Sequence, residues 1–140
     1  MTERLFVYGT LKRGHRNHYF LEHAEFVGPA ITFRRAFVMW DVGFPMVAFV
    51  DPFRRSTGDR VTGELYFVDK PTLAECDHLE GHPRFYNREK TAVVYGDKVT
   101  LAWIYLRKPE DRGNHPKVIA EDGELTWANP KRLVNVLDRS

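Results

Sequence analysis

The chain has 140 residues, 43% hydrophobic and 14% aromatic, and its 21 basic and 19 acidic side chains leave a formal net charge of +2. That length buries roughly two-thirds of the unfolded surface, one domain's worth of core, and the balanced charge excludes the clustered basic excess of a nucleic-acid footprint. The single cysteine, Cys76, excludes an intramolecular disulfide and a cysteine-rich metal site. No stretch approaches the ~18 apolar residues of a membrane span and no signal-peptide pattern follows Met1, so the expectation is a soluble, cytoplasmic protein.

The first predicted strand is Leu5–Tyr8, stopping at the loop Gly9-Thr10-Leu11-Lys12-Arg13-Gly14. Asn17 to His23 fits one or two helical turns. Glu25–Val27 and Ile31–Trp40 read as extended, with Gly28-Pro29 as a break. A short strand over Phe44–Val50 follows the turn at Gly43; Asp51–Asp59 is loop, and Val61–Val68 returns to strand. Pro71 then opens a helix whose Leu73, Cys76 and Leu79 recur at helical spacing, and Gly81 and Pro83 close it. Phe85–Tyr95 and Lys98–Tyr105 form a hairpin about Gly96-Asp97, with Asp97 tolerating the turn geometry. A polar surface excursion over residues 107–116 and a short terminal helix at Pro130–Leu137 complete the chain. The pattern predicts an α+β fold, a small mixed β-barrel or strongly curled sheet with a few short helices. Residues 1–140 are read as one domain, with 107–140 its divergent C-terminal extension.

The loop from Gly9 to Gly14 has two readings. It turns the chain from strand to helix, or its successive N–H groups form a nest for an anion. The P-loop pattern fails, because His15 and Arg16 stand where Lys and Ser or Thr are required. Lys12, Arg13, His15 and Arg16 add positive charge that either favours an anionic ligand or forms a solvated face.

His78-Leu79-Glu80-Gly81-His82 has neither zinc-peptidase spacing, and Gly81 interrupts the helix before His82. A deaminase-type zinc site needs two further cysteines. Glu80 has the better physical case as a general acid/base. The helix C-terminus disfavours its charge, Asp77 adds like charge one turn earlier, and Leu79, Phe85 and Tyr86 offer an apolar shield. Cys76 has no base partner in its own segment, and Ser56, Thr57 and Ser140 form no nucleophile–base pattern.

Four blocks occur in order: Phe6-Val7-Tyr8-Gly9-Thr10-Leu11-Lys12-Arg13-Gly14, Phe44-Pro45-Met46, Gly63-Glu64-Leu65-Tyr66, and Asp77-His78-Leu79-Glu80-Gly81-x-Pro83-x-Phe85-Tyr86-x-Arg88. Together they resemble the gamma-glutamylcyclotransferase-like superfamily, most closely its gamma-glutamylamine cyclotransferase and AIG2-like branch. The resemblance covers about Leu5 to Leu106. It implies a small mixed barrel with a cavity beside the first loop, and release of a gamma-glutamyl group as 5-oxoproline. Carried over by motif, the Tyr8-Gly9-Thr10-Leu11 loop would hold the glutamyl group through backbone contacts. Glu80 would be the acid/base and Tyr86 would line the pocket and hydrogen-bond the ligand. No metal, nucleotide or other cofactor is implied; the expected partner is a small gamma-glutamyl substrate, with no nucleic acid and no membrane. The loop lacks the Ser-Asn of the branch acting on gamma-glutamyl amino acids, which disfavours that specificity. Beyond Leu106 the likeness is loose, with Gly123-Glu124-Leu125-Thr126-Trp127 its faint remainder.

Two other functions compete. One is a binding or interaction protein that keeps the fold and pocket without cyclising anything, since function lives in the site and not the fold; a pure binder has no need of the Glu80 carboxylate. The other is nucleic-acid binding through Arg34-Arg35, Arg54-Arg55 and the basic loop, which the near-zero net charge opposes.

Overall fold

Leu5-Phe6-Val7-Tyr8 is apolar at every position because both faces of its strand are covered, which removes the usual alternation. The computed structural model describes residues 2–51, 53 and 58–127. In it the first strand, β1 (Thr2–Val7), starts three residues before Leu5, and Tyr8 lies just past its end. It pairs antiparallel with β5 (Arg60–Asp69) and parallel with β7 (Lys98–Leu106), through Leu5 opposite Trp103. Strand β7 pairs antiparallel with β6 (Asn87–Tyr95), β6 with β2 (Glu25–Thr32), and β2 returns to β5. The ring β1-β7-β6-β2-β5 therefore closes into a five-stranded mixed barrel, and closure leaves none of these strands as a bare edge. The α+β barrel expectation holds.

Alternation along the strands sorts two cores. Phe6, Leu65, Val93, Ala102 and Ile104 belong to one, joined by Phe37, Met39 and Val47 from the hairpin β3 (Phe37–Asp41) and β4 (Pro45–Phe49). Leu5, Val7, Tyr66, Val68 and Tyr105 point the other way and pack with Leu73 and Cys76 of the helix α1 (Lys70–Glu80). Each fully buried side chain of this size contributes roughly 1.5–3 kcal/mol.

Helix α1 starts one residue before Pro71. Asp69 caps it, accepting the Thr72 N–H at 2.8 Å. Gly81 ends it in the left-handed conformation at φ +68°, and the His82 N–H reaches the Asp77 carbonyl at 2.9 Å.

Several local expectations change. Gly28-Pro29 does not break the chain: β2 runs through it, with a register shift between Phe26 and Gly28, where a bulge tolerates the missing proline N–H. Ile31–Trp40 instead divides, with β2 ending at Thr32 and β3 starting at Phe37. The segment after Asn17 is a 3-10 turn over His18–Leu21. In the β6–β7 hairpin the positive φ falls on Gly96 alone, so Asp97 is not asked to adopt it. Residues 107–116 are indeed a mostly exposed excursion, with a 3-10 turn at Pro109–Arg112. Past it, β8 (Glu124–Leu125) adds in parallel to β5 at Arg60 and Val61, and Leu125 is fully buried. The helix expected at Pro130–Leu137 lies outside the described residues. Among the described residues no helix is long and apolar enough to cross a membrane.

Candidate active site

Where β1 ends, the chain turns back on itself through Lys12 N–H to Gly9 carbonyl at 3.0 Å and Asn17 N–H to Thr10 carbonyl at 2.9 Å. The Asn17 amide also donates to the Thr10 hydroxyl at 2.9 Å. His18 Nδ1 lies 3.0 Å from the Leu11 carbonyl; a carbonyl only accepts, so the ring holds its proton on that nitrogen. Gly9 cannot carry a side chain here, because a Cβ would fall 2.5 Å from Pro45 Cγ. The N–H groups of Gly9, Thr10 and Leu11 find no acceptor among the described residues. The loop is thus the strand-to-helix turn of the first sequence reading, and its three N–H groups are unbonded among the described residues.

Facing the loop is the end of α1. Gly81 lets the chain reverse, so that Phe85 N–H bonds the Gly81 carbonyl at 2.8 Å and Tyr86 N–H the Glu80 carbonyl at 3.1 Å. Between loop and helix end lies a cavity of about 280 Å³, near the lower bound of roughly 300–1,000 Å³ for small-molecule pockets. All six residues singled out in the sequence line it: Tyr8, Gly9, Thr10, Leu11, Glu80 and Tyr86. Asn17, Phe44, Pro45 and Tyr105, to which sequence reading gave no site role, line it too, as do Arg16, read there as one of four basic side chains, and Phe85, read as part of the Glu80 shield. The signal for Phe44-Pro45 was present as a motif block with no role attached. For Asn17 it was a polar residue soon after the second loop glycine, and for Tyr105 there was none, since β7 reaches the site only through barrel closure.

Glu80 is half-buried, and its carboxylate has no hydrogen-bond or ion-pair partner among the described residues. Burial pushes its pKa up from 4.5 to about 7. The like charge of Asp77 is not a cause. Asp77 Oδ1 accepts from Arg88 Nε at 2.8 Å and from the Tyr105 hydroxyl at 2.7 Å, so its charge is compensated.

Two of the three tyrosines that line the cavity, Tyr8 and Tyr86, give their hydroxyl protons to backbone carbonyls. Tyr8 Oη donates to the Tyr105 carbonyl at 2.6 Å and Tyr86 Oη to the Pro45 carbonyl at 2.7 Å. Since carbonyls only accept, the Tyr86 hydroxyl offers a ligand lone pairs and no proton, whereas the Tyr8 oxygen also accepts from the Val47 backbone N–H. Burial, and then the nearby Glu80 charge, raises the Tyr86 pKa; for Tyr8 burial comes first, then Tyr86, then Glu80. Cys76 is fully buried and its thiol is pushed up to about 12 by burial and neighbouring carboxylates, so it is a packed side chain and not a nucleophile. His82 Nδ1 accepts the Arg88 N–H at 3.2 Å, which ties that ring to the chain reversal. Among the described residues no three potential metal-ligating side chains gather.

A cavity pairing free loop donors with an unpartnered carboxylate is a site for a small molecule. Residues 5–128 match a family model described as gamma-glutamyl cyclotransferase, AIG2-like. The chain belongs to that family. Gamma-glutamylaminecyclotransferase B of Danio rerio is 34% identical to it over 148 aligned residues, 87% of this chain and 75% of the other. Gamma-L-glutamyl-butirosin B gamma-glutamyl cyclotransferase of Niallia circulans is 28% identical over 113 residues, 76% of this chain and 68% of that one. The crystal structure of an AIG2-like protein from Mus musculus is similar at a TM-score of 0.70 and 29% identity, over 86% of this chain and 88% of that chain. Family membership supports gamma-glutamyl cyclotransferase-type activity.

Proposed function

We propose that the protein cyclises a gamma-glutamyl amide of the gamma-glutamylamine type, releasing 5-oxoproline and a free amine, with Glu80 as general acid/base. The observation that carries this reading is the unpartnered Glu80 carboxylate, with its pKa raised to about 7, in one cavity with the free N–H groups of the Gly9–Leu11 turn.

The substrate's own α-amine is the nucleophile, and at neutral pH it carries an extra proton. Glu80, within ~3 Å of it, takes that proton. The amine nitrogen then attacks the γ-carbonyl carbon, forming the ring C–N bond. Glu80 returns the proton to the leaving nitrogen as the amide C–N bond breaks. The ring nitrogen still carries a second proton after its attack; Glu80, deprotonated again, takes this one too and the freed amine carries it away as an ammonium, so protons balance and the carboxylate is regenerated. A pKa near 7 suits both halves, base first and acid second. The loop N–H groups would hold the α-carboxylate and curl the chain, so the five-membered ring closes with little entropy left to lose. The Tyr86 hydroxyl, its proton given to Pro45, would accept from the substrate's ammonium or amide N–H. Tyr8 serves mainly through its backbone, since its buried hydroxyl holds the Tyr105 carbonyl.

Incubation with gamma-glutamyl-ε-lysine and related amides should release 5-oxoproline, and Glu80→Gln should stop it with the fold intact. Thermal stabilisation by these amides without product would instead support the binding-protein reading.

A further inference from the structure

The four basic side chains that follow Leu11 do not act together. Lys12 Nζ turns away and donates to the Trp127 carbonyl at 2.9 Å. Arg13 stacks its guanidinium 3.6 Å from the Phe26 ring centroid. Burial and the Lys12 charge lower the pKa of His15, which favours the uncharged ring. Arg16 alone of the four lines the cavity, is exposed, and has no charged or ring partner among the described residues. Its backbone is nonetheless fixed, since the neighbouring His15 and Asn17 N–H groups bond the Lys12 and Thr10 carbonyls.

Burial gives the cavity a direction. Phe6, Val7 and Tyr105 at one end are 0%, 3% and 4% exposed, whereas Phe85 is 45% exposed and Arg16 also faces solvent. Among the described residues, Glu80 and Arg16 are the two charged side chains of the lining, one half-buried and one exposed. Arg107 lies behind the Phe85 ring at 3.8 Å, but Asp111 faces its guanidinium at 3.5 Å, so that charge is partly compensated. A substrate whose reacting atoms meet Glu80 must pass its leaving group outward, between the Phe44 and Phe85 rings and Arg16.

Resting on the cyclotransferase reading above, we infer that Arg16 selects the leaving group by charge: the preferred substrate is a gamma-glutamyl amide whose amine carries a carboxylate several bonds beyond the amide nitrogen. Such a carboxylate reaches the mouth while the glutamyl head occupies the buried end. A leaving group ending in an ammonium meets repulsion from the same side chain. Because Arg16 is exposed, the preference is moderate and sensitive to salt.

The test compares gamma-glutamyl amides of 4-aminobutyrate, butylamine and 1,4-diaminobutane, which are similar in length and differ in terminal charge. At low ionic strength, kcat/KM of the wild type should favour the anionic over the neutral amide by about two- to fivefold, with the cationic one lowest. The anionic-to-neutral ratio should fall toward one in Arg16→Gln, invert in Arg16→Glu, survive in Arg16→Lys, and shrink for the wild type at high salt. Turnover of any of the three with a ratio that Arg16→Gln and Arg16→Glu leave unchanged, or a wild type preferring the cationic amide, overturns the inference while leaving cyclotransfer standing. Absence of 5-oxoproline from all three overturns both.

Discussion

Asp77 and Glu80 stand one turn apart on α1 and end in opposite surroundings. Asp77 is locked between Arg88 and Tyr105, and Arg88 in turn lies 4.2 Å from the Trp103 ring centroid, so helix, β6 and β7 are tied at one carboxylate. Glu80 meets the cavity and has no such partner among the described residues. Both are partly removed from water. Partners decide the difference: a carboxylate held by a guanidinium and a hydroxyl ties elements together, whereas one desolvated alone is pushed toward protonation and left able to exchange a proton.

The largest effect expected from this contrast is at Glu80. Glu80→Gln should lower kcat by about 10²–10⁴, the usual contribution of a positioned acid/base, with an unchanged circular dichroism spectrum. In the wild type, activity should fall on acidification through about 7, because below that value Glu80 is already protonated and cannot take the ammonium proton. Stability runs the other way. The folded pKa lies above the unfolded 4.5, so this group's contribution is fully present below about 4.5 and is lost as pH rises through about 7. Denaturant titrations at pH 5 and pH 8 should show that slope in the wild type and a flatter one in Glu80→Gln. A rate profile without an inflection near 7 would remove Glu80 from the role.

At Asp77 the expected loss is in stability. Asp77→Ala leaves Arg88 and the Tyr105 hydroxyl unpaired, with the paired side chains only 17–20% exposed. A destabilisation of about 2–3 kcal/mol follows, less than for a fully buried pair. Turnover per folded molecule should be retained. Were Asp77→Ala to abolish turnover with the melting curve unmoved, the division of labour between the two carboxylates would collapse.

Much of this contrast was readable locally and the rest was not. The Pro71 and Gly81 signals bracket α1 to within a residue, and the Gly9 turn is announced by a strand that stops at glycine, because caps and turns depend on neighbours in sequence. The barrel depends on β1 meeting both β5 and β7, pairings between residues as far apart as Val7 and Glu64 or Leu5 and Trp103, which no local pattern encodes. For the same reason Asp77 was read as a like charge against Glu80: its partners Arg88 and Tyr105 arrive from β6 and β7. Arg16 was visible only as one of four basic residues. Which of them turns into the cavity depends on where Trp127 and Phe26 take up Lys12 and Arg13. Gly28-Pro29 misled because a proline in a strand usually marks an edge or an end, and a bulge gives it a third place.

The smallest effect tests the hinge that separates Glu80 from Tyr86. Gly81 sits at φ +68°, and a Cβ there would fall 2.9 Å from Phe85 Cβ. Gly81→Ala therefore carries a left-handed backbone cost of about 1 kcal/mol, and because the atom it meets is the Phe85 Cβ, fixed to the backbone, the chain at Phe85 must move to admit the methyl. Phe85 and Tyr86 are an edge-to-face pair at 5.3 Å, so a displaced Phe85 disturbs the ring next to the Tyr86–Pro45 hydrogen bond. The substitution should lower the denaturation midpoint slightly and raise KM for a gamma-glutamyl amide more than it lowers kcat, because Glu80 itself stays on the last turn of α1. A fall in kcat as large as that of Glu80→Gln would mean that the chain reversal sets the carboxylate's position, and that the unpartnered state of Glu80 is held in place from the Gly81–Tyr86 side and not by the helix alone.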